Sequence, residues 1–182
     1  MKVKGQRATL ELRSESGLFA TTSIAIGNPP QFFQAIVDIG ASDIFVPGAD
    51  CTSKSLMCKN GAVYDAPSST TSVHDGERTV AVDRHDRYTV GVLRRDSIHV
   101  GTVEVRDQVF ERAYALTRHV GFSSREYDTV LALSRETVRR PSSTLQTKSF
   151  FQLMIEQAAL ERNVFTLRLL GTDGSTGRLT LG

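Results

Sequence analysis

Ala35-Ile36-Val37-Asp38-Ile39-Gly40-Ala41-Ser42-Asp43-Ile44-Phe45-Val46-Pro47 sets an acid and a glycine turn between two apolar runs. Short apolar, β-branched runs bounded by turn residues read as buried strands, so a carboxylate stands where one strand ends. For an arbitrary Asp-x-Gly the default is an Asx turn, in which the Asp38 side chain accepts hydrogen bonds from its own following backbone amides. What surrounds this stretch decides whether Asp38 does more than that.

On both sides the chain keeps the same texture. Strands are expected at Ala20 to Ile26, Gln31 to Val37, Ile44 to Val46, Thr79 to Asp83, Tyr88 to Leu93, Thr102 to Phe110, Thr129 to Leu133, Phe165 to Leu169 and Leu179 to Leu181. Val103 and Val105 alternate with Glu104 and Arg106, as in an antiparallel strand with one buried face. Gly27-Asn28-Pro29-Pro30 reads as the tight turn of a hairpin, because glycine frees the backbone and proline stops ladder pairing. One helix stands out. Ser149 caps it, Gln152 completes a capping box, Phe150, Leu153 and Met154 share a face, and the pattern fades near Arg162-Asn163. The Ser/Thr-rich stretches Pro67 to Ser72 and Pro141 to Thr147 read as surface loops. The fold class is therefore all-β with a single clear helix, and 182 residues suit one domain.

Composition excludes several roles. A net charge of +2 with no dominant basic block gives no electrostatic support for nucleic acid or an anionic lipid surface as partner. Apolar runs fall far short of the ~20 residues that span a bilayer, so no membrane segment is expected. Charges at Lys2, Lys4, Arg7, Glu11, Arg13 and Glu15 interrupt the N-terminus, which carries no secretory signal core. Cys51 and Cys58 alone do not complete a four-ligand zinc site, and a small-loop disulfide is the better reading. His74, His85, His99 and His119 lack the spacing of a shared metal site, so neither metal nor cofactor is expected. Gly121-Phe122-Ser123-Ser124 lacks the second glycine of a nucleophile elbow, and Gly171 to Gly177 lacks the lysine of a phosphate loop.

The order of these segments resembles the N-terminal lobe of the pepsin-like aspartic proteases. Phe19 to Gln31 is similar to that family's opening strand and Gly-x-Pro-Pro-Gln turn. Asp38-Ile39-Gly40-Ala41-Ser42 occupies the place of its Asp-Thr-Gly-Ser-Ser loop, and Ile44 to Pro47 that of Leu-Trp-Val-Pro. The Cys51 to Cys58 interval matches its small disulfide loop. Asp96 to Gly101 resembles the strand after the flap, and Tyr127-Asp128-Thr129-Val130-Leu131-Ala132-Leu133 its Phe-Asp-Gly-Ile-Leu-Gly-Leu segment. Phe150 to Leu169 resembles its helix and following strand, and Gly177 to Gly182 the last strand before the crossover to a second lobe.

The resemblance implies residues 19–182 as the lobe and 1–18 as an N-terminal extension. It implies a peptide or protein substrate, Asp38 as the catalytic carboxylate, and Gly40 as a substrate-binding residue. Counting back from Gly101 in the family's spacing puts Arg84 where a tyrosine covers the substrate, with Tyr88 as the substitute if the register slips. A secreted or vacuolar setting is typical of the family. Its chemistry needs two acids sharing one proton, yet no second Asp-Thr-Gly or Asp-Ser-Gly occurs here, and Asp173-Gly174 is a poor imitation. A missing C-terminal lobe or a dimer partner is implied.

Three departures favour an alternative, a catalytically dead lobe that binds peptides or proteins. Ile39 stands in for a threonine whose hydroxyl bonds across to the opposite loop, and isoleucine offers no hydroxyl. Ala41 replaces a serine that supports the catalytic carboxylate. The flap tip, Asp83-Arg84-His85-Asp86-Arg87, lacks the glycines of a bending hairpin.

Overall fold

The computed structural model describes residues 5–13, 19–52, 58–59, 61–82, 88–116, 127–136, 146–169 and 176–182, with only the backbone course for 80–82, 88 and 116. In chain order the strands are β1 (Ala8–Leu12), β2 (Thr21–Ile26), β3 (Gln31–Asp38), β4 (Phe45–Pro47), β5 (Val73–Val82), β6 (Tyr88–Val100), β7 (Val103–Leu116) and β8 (Thr129–Ala132). Helix α1 (Phe150–Glu156), β9 (Phe165–Arg168) and β10 (Gly177–Leu181) follow. The all-β expectation with one clear helix holds.

Two sheets carry the chain. A three-stranded sheet runs β1-β10-β9, and a seven-stranded sheet runs β4-β7-β6-β2-β3-β8 with β5 on β6. β2 and β3 form the expected hairpin around Gly27-Asn28-Pro29-Pro30, with Ile26 opposite Gln31. Their alternation drives Ile24, Ile26, Phe33 and Ala35 into one core with Leu131, Leu133, Phe150, Met154, Leu179 and Leu181. Val103 and Val105 are buried and Arg106 exposed, so the alternation read in β7 is the one that folds.

Strand lengths differ from the sequence expectation wherever charge disguised pairing. β6 runs to Val100 rather than Leu93 and β5 begins at Val73 rather than Thr79. Arg95 lies in that extension and donates to Asp75 on β5 at 3.1 Å, so the charge that looks like a loop is paired across the ladder. No strand is expected over Ala8–Leu12, yet β1 forms there. It pairs antiparallel with β10, Ala8 opposite Leu181 and Leu12 opposite Gly177, and buries Leu10 and Leu12. The stretch read as an extension thus contributes to the core.

The helix starts where the capping box predicts: the Gln152 amide donates to Ser149 Oγ at 3.3 Å, and the Ser149 amide to Gln152 Oε1 at 2.9 Å. It stops at Glu156, well before Arg162-Asn163. The Ala159 amide reaches Met154 O and the Ala158 amide reaches Ile155 O, with Ala158 at φ 50°. This is a Schellman ending with alanine where glycine or asparagine usually signals the stop. Just before it, Gln157 bonds both the N–H (2.9 Å) and the C=O (2.7 Å) of Arg106, docking the helix end on β7.

Candidate functional site

Asp38 is the last residue of β3. β3 and β8 pair in parallel, with Asp38 beside Ala132, and the pairing continues past the strands: Leu133 N–H donates to Asp38 O at 2.9 Å and Ser134 N–H to Ala41 O at 3.0 Å. On the other side of the turn, β4 pairs in parallel with β7, Phe45 beside Glu111, and Glu111 N–H donates to Ile44 O at 2.9 Å. Thr129 Oγ1 donates to Phe45 O at 2.5 Å, joining the two parallel pairs. The turn between β3 and β4 is therefore clamped at its start, middle and end by backbone that lies far away in sequence.

Inside that clamp the Asx turn forms as the local sequence requires. Asp38 Oδ1 accepts from Gly40 N–H at 2.8 Å and from Ala41 N–H at 3.1 Å. The carboxylate is exposed, and both hydrogen bonds from described residues enter Oδ1, which leaves Oδ2 to another group. Gly40 sits against Asp38, where a Cβ would meet Oδ1 at an ordinary 3.5 Å. Beside them the Ile39 side chain is 58% exposed, an apolar group facing outward at the tip. Ala41 contributes its amide and no hydroxyl.

The remaining sequence candidates separate. Tyr88 opens β6 opposite Val82, with only its backbone described. Arg84 lies outside the described residues, as does Asp173-Gly174. Cys51 and Cys58 form a disulfide, Cα atoms 5.5 Å apart, packed with Phe19, Ile36, Phe45 and Tyr127 against Ala113. Phe19 and Tyr127 meet edge to face at 5.4 Å. Among the described residues no three His, Cys, Asp or Glu side chains gather as a metal site would require, and no helix is long and apolar enough to cross a membrane.

Two further aspartates tie distant segments together, Asp128 behind β3 and Asp96 at the opposite end of the β2–β3 hairpin, and sequence reasoning gave neither a role. Asp128 accepts from Gln34 N–H at 2.9 Å and Ala62 N–H at 3.0 Å, fixing β3 to the segment that leads into β8. Asp96, only 1% exposed, accepts from Tyr64 Oη (2.6 Å), Ser69 Oγ (2.7 Å), Thr71 Oγ1 (2.5 Å) and its neighbour Ser97 N–H (2.8 Å). Burial first, and then the hydrogen bond to Asp96, push the Tyr64 hydroxyl well above the usual tyrosine range. Ser69 and Thr71 belong to the stretch read as a surface loop. The stretch is mostly exposed; Ser69 is buried and Thr71 stays exposed, and both direct their hydroxyls to Asp96, a buried carboxylate that needs donors. The available signal was the run of hydroxyl residues 68–72; Asp96 itself was masked by Arg94 and Arg95 beside it.

Comparison with known proteins agrees with this geometry. The model of the family described as eukaryotic aspartyl protease matches residues 20–182. Vacuolar protease A of Arthroderma otae is 29% identical over 88% of the chain and 39% of its own length. Cathepsin D of Gallus gallus is 27% identical over 80% of the chain and 35% of its own length. Pepsin A of Gallus gallus is 29% identical over 87% of the chain and 41% of its own length. The chain thus spans about two fifths of the length of the curated relatives it matches.

Proposed function

Because the chain belongs to the eukaryotic aspartyl protease family, we propose that Asp38 is one of two carboxylates that together hydrolyse a peptide bond, the second reaching it from another lobe or another copy of the chain. The observation that carries this reading is the exposed Asp38 carboxylate, held through Oδ1 by the Gly40 and Ala41 amides, with no hydrogen bond to Oδ2 from the described residues. Two carboxylates brought close cannot both ionise. The ionised one takes a proton from water as that water attacks, and the protonated one donates to the scissile carbonyl oxygen. Asp38 alone supplies half of this, so the isolated chain is expected not to turn over. The substrate class is a peptide or protein. On the same reading residues 19–182 make up the lobe, and the extension 1–18 lends it β1. A secreted or vacuolar destination fits as well, since the Cys51–Cys58 disulfide suits an oxidising compartment.

A second reading, a lobe that binds peptides without cleaving them, is favoured by Ile39. Its exposed apolar side chain offers contact area and no hydroxyl to tie an opposing loop. The experiment that separates the two is acid-pH cleavage of an unstructured polypeptide. It is measured for this chain alone and together with a second lobe that carries its own Asp-Thr-Gly, with and without a statine-type mimic of the tetrahedral intermediate. Cleavage by the pair, blocked by the mimic and lost in Asp38→Ala, supports hydrolysis. Binding of the mimic without cleavage supports the second reading.

A further inference from the structure

A row of side chains crosses the seven-stranded sheet far from Asp38. Phe32 on β3 lies opposite Ala25 on β2, Ala25 opposite His99 on β6, and His99 opposite Glu104 on β7. All of these pairings are antiparallel, so directly opposed residues share one face, with neighbouring Cβ atoms about 5 Å apart. Because the second member is only alanine, the row has a notch between the Phe32 ring and His99. Thr9 and Glu11, the outward residues of β1, close the other side, and together they bound a groove of about 760 Å³. That volume lies in the range of ~300–1,000 Å³ typical of ligand sites. Phe32 is six residues before Asp38, which is about 20 Å along an extended strand, and neither Asp38 nor Gly40 lines the groove.

The chemistry of the lining is one-sided. Phe32 is 69% exposed, an aromatic face open to water. Glu11 and Glu104 bring carboxylates, and no lysine or arginine is among the described lining residues. Each carboxylate is held by an arginine two residues further along the chain, Glu11 by Arg13 at 2.9 Å and Glu104 by Arg106 at 3.2 Å, and those arginines are 75% and 73% exposed. Exposed pairs of this kind contribute about 0–1 kcal/mol, so an incoming cation displaces them at small cost. An aromatic face flanked by carboxylates is the environment that favours a desolvated guanidinium or ammonium.

We propose that this groove is a second binding site, separate from the Asp38 turn, which takes an arginine or lysine side chain of an extended polypeptide segment. The cation lies over Ala25 between the Phe32 ring and the His99 imidazole, with the Glu104 carboxylate one strand beyond His99, and Glu11 meets the next residue of the segment. This site is independent of whether the protein is an active protease.

The test is a titration of the isotope-labelled full chain at neutral pH, followed by amide NMR shifts. The ligand is acetyl-Gly-Arg-Gly-Arg-Gly-amide, with the matched glutamate peptide as control. The expected result is saturable shifts centred on Ala25, Phe32, His99 and Glu104 with the arginine peptide and none with the glutamate peptide. Glu104→Gln and Phe32→Ala, both solvent-facing changes, should each weaken binding by about fivefold while the rest of the spectrum stays that of the folded chain. Three outcomes would overturn the proposal: equal response to the glutamate peptide, shifts centred on Asp38 to Ala41 instead, or unchanged affinity in both variants. Absence of any saturable shift would do the same.

Discussion

Asp38 and Asp96 are the same residue in opposite circumstances. Asp38 sits exposed at a strand end and accepts two amide hydrogen bonds from its own turn, both on one oxygen. Asp96 is sealed inside the β6 ladder and accepts four donors shared between its two oxygens, three of them hydroxyls delivered by a distant segment. A buried carboxylate that is fully hydrogen-bonded has no capacity left for a substrate, whereas an exposed one with a free oxygen does. The acid that ties distant segments of the fold together and the acid open to solvent at the β3 turn are therefore separate groups.

The largest effect should come from Asp96→Ala, which strands the Tyr64, Ser69 and Thr71 hydroxyls and the Ser97 amide without their acceptor. A loss of about 3–5 kcal/mol is expected, read from the urea midpoint; a loss below about 1 kcal/mol would erase the contrast with Asp38. Tyr64→Phe removes one of the four donors and leaves no cavity, for a loss of about 2 kcal/mol. It also sharpens the comparison through pH. The folded-state Tyr64 hydroxyl titrates above its unfolded value, so its contribution is complete below about pH 10 and is lost as pH rises from there toward the folded value. Stability measured above that point should fall more steeply in the parent chain than in Tyr64→Phe. Asp38→Ala should have the smallest effect on folding, about 1 kcal/mol or less, while abolishing cleavage in any two-carboxylate assembly that includes this chain.

Legibility in the sequence followed the range of the interactions. The Asp38 turn was readable because its apolar run, acid and glycine are contiguous and the Asx bonds are local. The start of α1 was readable for the same reason, since Ser149 and Gln152 satisfy one another. Its end was not, because Ala158 adopts a left-handed φ that its residue type does not announce. β1 escaped because Glu11 and its charged neighbours disguise a strand whose ladder partner among the described residues, β10, lies about 170 residues away. The Asp96 cluster escaped because its donors at 64, 69 and 71 converge on it only after the sheet has formed. For Arg84 the comparison has no structural side, and Tyr88 enters only as the backbone opposite Val82.

The pairing of β1 with β10 carries a consequence for synthesis. Ala8–Leu12 leave the ribosome well before their hydrogen-bonding partners, Gly177–Leu181, which follow about 170 residues later. At roughly 5–20 residues per second, Leu10 and Leu12 wait on the order of 10–30 s for the strand that will cover them, an interval in which a holdase is the natural cover. Stalled nascent chains that end before residue 177 should lose residues 5–13 to protease, and chains with residue 182 clear of the exit tunnel should keep them.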